Sequence, residues 1–293
     1  MNAPDRSTPA TTPLVEGQGI VRRFSGLAAV DVERLSIPRD RVTALIGPNG
    51  AGKTTLFNLL TGFDKPDEGS WSFDGTPLSR MPAYRIARLG MVRTFQLTKV
   101  LGKLTVMQNM LLGAAQPGER LSRALFPAAW KAARRVEEER ARELLSRFGL
   151  AAKAHDHAAG LSGGQRKLLE MARALMASPR LLMLDEPMAG VNPALTQSIL
   201  EHIVALKDDG VTVLFVEHDM HVVKHIADHV IVMADGKVVA EGEPRRVLAE
   251  QVVIDAYLGS HHDVDLRDVI AGRIAEREVM STSTIRLIEE NTP

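Results

Sequence analysis

Gly47-Pro-Asn-Gly-Ala-Gly52-Lys53-Thr54, preceded by the β-rich run Val42-Thr-Ala-Leu-Ile46, is the stretch whose reading decides the fold. It fits G-x-x-x-x-G-K-[ST] at every defined position, and residues 54–60 read as a helix. Strand, glycine turn and helix are the context that a phosphate-binding loop requires. Gly47, Gly50 and Gly52, with Pro48, Asn49 and Ala51 between them, let the backbone wrap closely and aim successive N–H groups at an anion. The following helix adds the positive end of its dipole. Lys53 is placed to reach β- and γ-phosphates, and the Thr54 hydroxyl, followed by Thr55, to ligate Mg²⁺. Alone, the loop defines a nucleotide binder of a broad class that includes kinases, GTPases and motor proteins.

Working outward, short buried-looking strands return at 181–184, 211–216 and 230–233, with helical patterns between them. That alternation predicts an α/β fold with a mostly parallel sheet covered on both faces. Residues 14–38 carry short apolar runs broken by Gly17, Gly19 and Gly26, which reads as antiparallel strands and turns. From 104 to 150 the pattern is helical. Val136, Ala141, Leu144, Leu145 and Phe148 form the expected apolar stripe, and Glu137, Glu138, Glu139, Arg140 and Arg142 supply charges for one face. There is no internal repeat and a single phosphate loop, so the chain holds one nucleotide domain.

Composition narrows the class by exclusion. Of 293 residues, 45% are hydrophobic and 25% charged, ordinary for a soluble globular chain. Lys plus Arg (36) balance Asp plus Glu (36), which gives no hint of nucleic acid or an acidic membrane surface. The absence of cysteine excludes disulfides and thiolate metal sites. Residues 1–13, rich in Pro, Thr and Ala, read as a disordered leader rather than a signal peptide. No uninterrupted apolar run approaches the roughly 20 residues that span a bilayer. The chain is therefore expected not to cross a membrane by itself.

Three further motifs complete the chemistry. Leu161-Ser-Gly-Gly-Gln165 stands before a helix expected over 166–176. Ser162, Gly163, Gly164 and Gln165 read either as a second anion site or as a plain loop with Ser162 as its N-cap. Leu181-Leu-Met-Leu-Asp185-Glu186-Pro187 is an apolar strand ending in two carboxylates. Asp185 suits Mg²⁺ held through water, and Glu186 suits a general base acting on water. The pair falls at the carboxyl end of a parallel strand, where α/β sheets place ligands. A third strand ends in Glu217-His218-Asp219, offering His218 as a γ-phosphate sensor.

In order and approximate spacing, Lys53, Ser162, Asp185 and His218 resemble the ABC ATPase family, from about Leu14 to Gly259. The resemblance implies a P-loop NTPase (RecA-like) core, an N-terminal antiparallel β subdomain and a helical subdomain inserted at about 98–165. Residues 260–293 form an extension beyond it. It implies that Gly47 to Thr55 is Walker A, Leu161 to Gln165 the signature, Leu181 to Glu186 Walker B and His218 the switch histidine. Gln96, in Arg93-Thr-Phe-Gln96, matches the glutamine that senses Mg²⁺ and the attacking water, and Phe24 falls where an aromatic stacks on adenine. The signature of one subunit then closes over ATP held by another. Asn192 stands where the family commonly has an Asp in the loop that crosses the dimer.

Finer likeness, in Val92 to Gln96, Met188 to Pro193, Val216 to Met220 and Ala256 to Gly259, is to the ATP-binding subunits of branched-chain amino-acid importers. That implies a second ATPase subunit, separate permease subunits, an extracytoplasmic binding protein and a peripheral place on the cytoplasmic membrane face. Urea and amide importers, and lipid-extracting exporters, carry similar motifs. A soluble ABC protein acting on DNA or ribosomes usually needs tandem domains, coiled coils, zinc modules or a basic surface, and none is present. Two features stand apart. His218, His221, His225 and His229 would share one helix face; a solvated polar face is the reading preferred over a zinc site. In the extension, Leu266, Val269, Ile270 and Ile274 suit a short amphipathic helix.

Overall fold

The computed structural model describes residues 12–94, 100–114 and 127–258. The leader expected over 1–13 falls almost wholly outside these residues, as do Gln96 and the extension 260–293 with His261 and His262.

Among the described residues, ten strands form two sheets. Strands β1 (Val15–Phe24) and β2 (Leu27–Ile37) make an antiparallel hairpin. With β4 (Glu68–Phe73) and β5 (Thr76–Pro77) they build a four-stranded antiparallel sheet in the order β2-β1-β4-β5. The second sheet has the order β10-β9-β3-β8-β7-β6. Its members are β3 (Val42–Ile46), β6 (Met91–Arg93), β7 (Leu181–Asp185), β8 (Thr212–Val216), β9 (His229–Ala234) and β10 (Lys237–Gly242). All of its pairings are parallel except β9 with β10.

The central strands are buried on both faces, which is why they read as continuous apolar runs rather than alternating ones. Val42, Ala44, Ile46, Leu182, Leu184, Val213, Phe215, Val230 and Val232 enter one core. Their immediate neighbours Leu45, Leu181, Met183, Leu214, Val216, Ile231 and Met233 enter the other. The period of two along each strand thus assigns every residue to a layer. Helix α1 (Lys53–Leu60) lies in the second core, with Leu56, Phe57, Leu59 and Leu60 buried among residues of both sheets.

The opposite core is helical. Helix α2 (Ala83–Arg88) still buries Ile86 in the second core, whereas α3 (Val106–Leu111), α4 (Pro127–Arg147) and α5 (Gly163–Leu175) follow between β6 and β7 on the opposite side. Beyond β7 come α6 (Pro193–Asp208), α7 (Met220–Ile226), α8 (Pro244–Val247) and α9 (Gln251–Leu258). Ala141, Leu145 and Phe148 of the expected α4 stripe are buried and Leu144 packs beside them. Val136 is corrected: it is exposed, because the helix turns that position away from α3 and α5. The histidine face is corrected as well. Only His221 and His225 belong to α7; His218 precedes it, and His229 opens β9. No grouping of three or more metal-binding side chains occurs among the described residues.

Lateral register positions the site. Asp185 pairs with Val216, and Leu45 pairs with Val216 from the other side. The carboxyl ends of β3, β8 and β7 therefore lie side by side, and the segments leaving them, at Gly47, Glu217 and Glu186, share one edge of the sheet. The loop after β3 is wedged at two glycines. A Cβ on Gly47, at φ +151°, would run into the Met233 carbonyl oxygen, and one on Gly52, at φ +94°, into that of Ala29. Both obstacles are backbone, so neither can move aside cheaply. Gly47→Ala is expected to cost at least about 2 kcal/mol of stability, read as a lower urea midpoint with an unchanged m-value.

Candidate nucleotide site

Lys53 opens α1 and is buried, with Nζ donating to the carbonyls of Gly47 at 2.7 Å and Pro48 at 2.8 Å. The loop thus closes around its own lysine. Burial lowers the Lys53 pKa, and the negative charges of Glu186 and Asp185 oppose that shift. Those opposing charges put the lysine within electrostatic reach of the acidic strand end. Thr54, next in the helix, is exposed and Thr55 half-buried. The N–H groups of a helix's first turn have no partner within the helix, and here they open at the rim of a positive dipole.

Asp185 is held by an arginine. Its Oδ2 accepts from Arg93 Nη2 at 2.8 Å, and both side chains are nearly inaccessible, at 4% and 6%. Arg93 Nη1 donates to Asn58 Oδ1 of α1 at 2.6 Å, and the guanidinium lies 5.3 Å from the centre of the Phe57 ring. One side chain from the end of β6 therefore ties the loop helix to the acidic strand. A buried carboxylate needs such a partner to remain charged.

Glu186 takes a left-handed backbone, φ +48°, uncommon for a non-glycine residue. Its N–H donates to the Val216 carbonyl at 3.1 Å, and its own carbonyl accepts from Ala189 N at 3.1 Å and Lys167 Nζ at 3.0 Å. Its carboxylate reaches across to the end of β8, where Oε1 lies 2.7 Å from His218 Nε2. With the carboxylate ionised, that separation requires Nε2 to carry the proton. The two sequence-predicted residues are thus brought into direct contact, with His218 the more exposed of the pair.

Ser162 is the N-cap of α5. Its Oγ accepts from Gln165 N at 3.3 Å, and its N–H donates to Gln165 Oε1 at 3.0 Å, a reciprocal capping box. The plain-cap reading is therefore true of the local structure, and Ser162 and Gly163 nonetheless stay exposed. The two glycines differ in their reason. Nothing lies within 4 Å of a Cβ placed on Gly163, whereas one on Gly164 would strike Leu195 of α6. Gly164 permits helix packing; Gly163 leaves open space. Asn192 caps α6, its Oδ1 accepting from Leu195 N at 3.0 Å, so its amide does a local job whatever else it meets. Phe24 ends β1 half exposed, with the Arg22 guanidinium 4.7 Å from its ring centre, and is not core packing.

Sequence reasoning missed Arg93, Asn58, Lys167 and Glu217. Arg93 and Glu217 stood inside quoted motifs but were passed over for Gln96 and His218. Their signal was chemical: a charged residue at the end of an otherwise apolar strand has to be paired. Asn58 and Lys167 are ordinary polar residues in helices and gave no signal. Tyr257 of α9 also lies at the loop; burial raises its pKa, and the Gly47 backbone opposes the shift.

A glycine-wrapped lysine at a helix start, facing an acidic strand end one strand away, defines a P-loop nucleotide-binding α/β domain. Comparison with known proteins narrows this. The ABC transporter family matches residues 31–189. The probable branched-chain amino acid transport ATP-binding protein LivG of Archaeoglobus fulgidus is 40% identical over 247 residues, covering 84% of this chain and 96% of that protein. The high-affinity branched-chain amino acid transport ATP-binding protein BraF of Pseudomonas aeruginosa is 40% identical over 250 residues, covering 84% and 98%. Among solved structures, a nucleotide-free ATP-binding cassette from an ABC transporter superposes with a TM-score of 0.74 at 36% identity, over 84% of this chain and 99% of that one. A cassette in its ADP conformation gives 0.73 at 35%, over 85% and 100%. The chain belongs to the ABC transporter family, and it is an ATPase of that family.

The Arg93–Asp185 pair makes a prediction. Arg93→Met leaves a buried carboxylate without its cation and is expected to cost roughly 3–5 kcal/mol of stability. Urea unfolding measures this, with Arg93→Lys retaining part of the loss because a single ammonium does not span both Asp185 and Asn58.

Proposed function

We propose that this chain binds and hydrolyses ATP to drive import of branched-chain or related amino acids through separate membrane permeases. The observation that carries the ATP chemistry is the meeting of Lys53, Asp185, Glu186 and His218 at one edge of the parallel sheet. The cargo rests on the names of relatives about 40% identical over nearly their whole length.

The residues present suit ATP with Mg²⁺. Gly47 and Gly52 let the loop pack against the Met233 and Ala29 carbonyls, which holds it in its wrapped form, and Thr54 in the first turn of α1 is exposed at the positive end of the helix dipole. Thr54 and Asp185 offer oxygen ligands, with Gln96 as a third by resemblance. Mg²⁺ commonly takes its remaining oxygens from phosphates and water, so a pocket without an all-protein metal cage is what it needs. Mg²⁺, when bound, would neutralise phosphate charge as it builds up during transfer.

In this reading Gly47, Pro48, Asn49, Gly50, Ala51, Gly52, Lys53, Thr54 and Thr55 hold the phosphates. The Lys53 ammonium exchanges the carbonyls of Gly47 and Pro48 for phosphate oxygens, keeping its hydrogen bonds while gaining opposite charge. Phe24 supplies an exposed ring face for adenine. Glu186 accepts a proton as water attacks the γ-phosphorus, and the bond from that phosphorus to the β–γ bridging oxygen breaks. His218 holds the Glu186 carboxylate before reaction and presents an N–H to the departing phosphate. A second cassette, the same chain or a sister, brings its own Ser162, Gly163, Gly164 and Gln165 over the nucleotide. The exposure of Ser162 and the open space at Gly163 support that role. No helix among the described residues is long and apolar enough to cross a membrane, which agrees with a peripheral subunit on the cytoplasmic face.

Glu186→Gln is expected to bind ATP as the parent does while hydrolysing it at least about 100-fold more slowly, the usual worth of a general base. Wild-type turnover would sink the assignment of Glu186. Lys53→Ala is expected to weaken both ATP binding and turnover. Purification of the tagged chain from its native membrane should bring permeases and a binding protein that takes leucine, isoleucine or valine. A binding protein for urea or amides, or a lone lipid-export permease, would overturn the choice of cargo.

A further inference from the structure

Glu217 is a buried acid that the proposed chemistry does not use. It follows β8 directly and is 6% exposed, and burial raises its pKa against the pull of two backbone N–H groups. Those two groups belong to different loops. Oε1 accepts from Met188 N at 3.2 Å, in the loop after β7, and Oε2 accepts from His218 N at 3.2 Å, in the loop after β8. A carboxylate offers two acceptor oxygens and no donor, so Glu217 can take a backbone N–H from each loop on a separate oxygen.

The consequence falls on the neighbours. Glu186 lies two residues before Met188 and touches His218, so the two fastened N–H groups flank the Glu186–His218 contact. Glu186 is also the residue in left-handed backbone, a conformation that persists only where surroundings over-determine it. Lys167 holds its carbonyl from the α5 side and has Glu217, Glu170 and Glu186 as its negative neighbours. Glu217 thereby joins the two loops that carry the reacting pair, and its negative charge is felt at Lys167, which holds the Glu186 carbonyl.

We propose that Glu217 is a positioning residue, which ties the loops after β7 and β8 together so that the Glu186 carboxylate and the His218 imidazole meet. The proposal rests on the reading of Glu186 and His218 given above. A positioning role differs from general support of the fold: it acts on turnover and leaves nucleotide binding at the glycine loop alone.

Glu217→Gln and Glu217→Asp test it in the full-length chain. Glutamine keeps one acceptor and turns an NH₂ donor toward the other N–H; aspartate keeps the charge but is one methylene short of spanning both. Steady-state ATP hydrolysis is measured below the unfolding range of each variant, with ADP binding by calorimetry as the control for an intact pocket. Both variants are expected to lose tenfold or more in kcat, with KM for ATP and Kd for ADP within threefold of the parent. Parental kcat in either variant overturns the proposal, since charge or one acceptor would then suffice. Loss of ADP affinity in step with kcat also overturns it, because the residue would then be supporting the domain as a whole. Glu186→Gln run beside them separates the two readings. If it is inactive and Glu217→Gln is not, only the role of Glu217 falls; if Glu186→Gln turns over normally, the assignment of the reacting pair falls with it.

Discussion

Everything in the site depends on hydrogen bonds between three parallel strands. β8 lies between β3 and β7, and its pairing with each sets Leu45, Val216 and Asp185 level with one another. A shift of one residue in either pairing would turn every side chain of that strand to the opposite core. The register is therefore protected by the burial of Val213, Leu214, Phe215 and Val216 on two faces at once. Because the strands end level, the glycine loop, the acidic pair and the histidine leave the sheet within reach of one another. The apolar interior thus sets the geometry of a polar site to which it contributes no polar atom.

The second constraint is charge. Asp185, Glu217 and Lys53 are buried, and Lys167 half so, in a small volume at this edge. None is left to bear its charge alone: Arg93 answers Asp185, Lys167 faces Glu217, and Lys53 rests on two carbonyls. Burial pushes Lys53 and Lys167 toward their neutral forms and Glu217 toward its own. In the proposed reading, a phosphate at the glycine loop would bring Lys53 the full opposite charge that two carbonyls do not. The contacts among Arg93, Asn58 and Asp185 join the loop helix directly to the acidic strand.

Membership of the ABC transporter family agrees with this arrangement and extends it. The relatives align over nearly their whole length, so the chain contains the complete cassette that they contain. Two of its local features are nevertheless accounted for without any partner. Ser162 and Gln165 satisfy each other as a capping box, and Asn192 caps the helix that follows it. A cap and a contact with a second subunit are compatible, because Ser162 and Gly163 stay exposed even though the capping box uses the Ser162 hydroxyl and N–H.

By itself the sequence determined the α/β class and the strand–loop–helix at Gly47 to Thr54, and it singled out Lys53, Asp185, Glu186 and His218, which the fold brings to one edge of the sheet. These were legible because each is a local pattern: apolar runs of five, glycines where the backbone must turn, charges where a strand stops. The same locality misled it where a pattern crossed an element boundary. His218, His221, His225 and His229 recur at intervals of three and four residues, yet a helix of seven residues ends before His229 and begins after His218. Val136 fits the spacing of its stripe but faces solvent, since spacing alone does not say where a neighbouring helix will lie. Only the tertiary structure decided that Arg93 pairs with Asp185 across 92 residues, that Lys167 holds Glu186, and that Glu217 joins two loops. The reason is physical. Partner choice for a buried charge is made by strand order and register, and these depend on long-range pairing that no window of sequence contains.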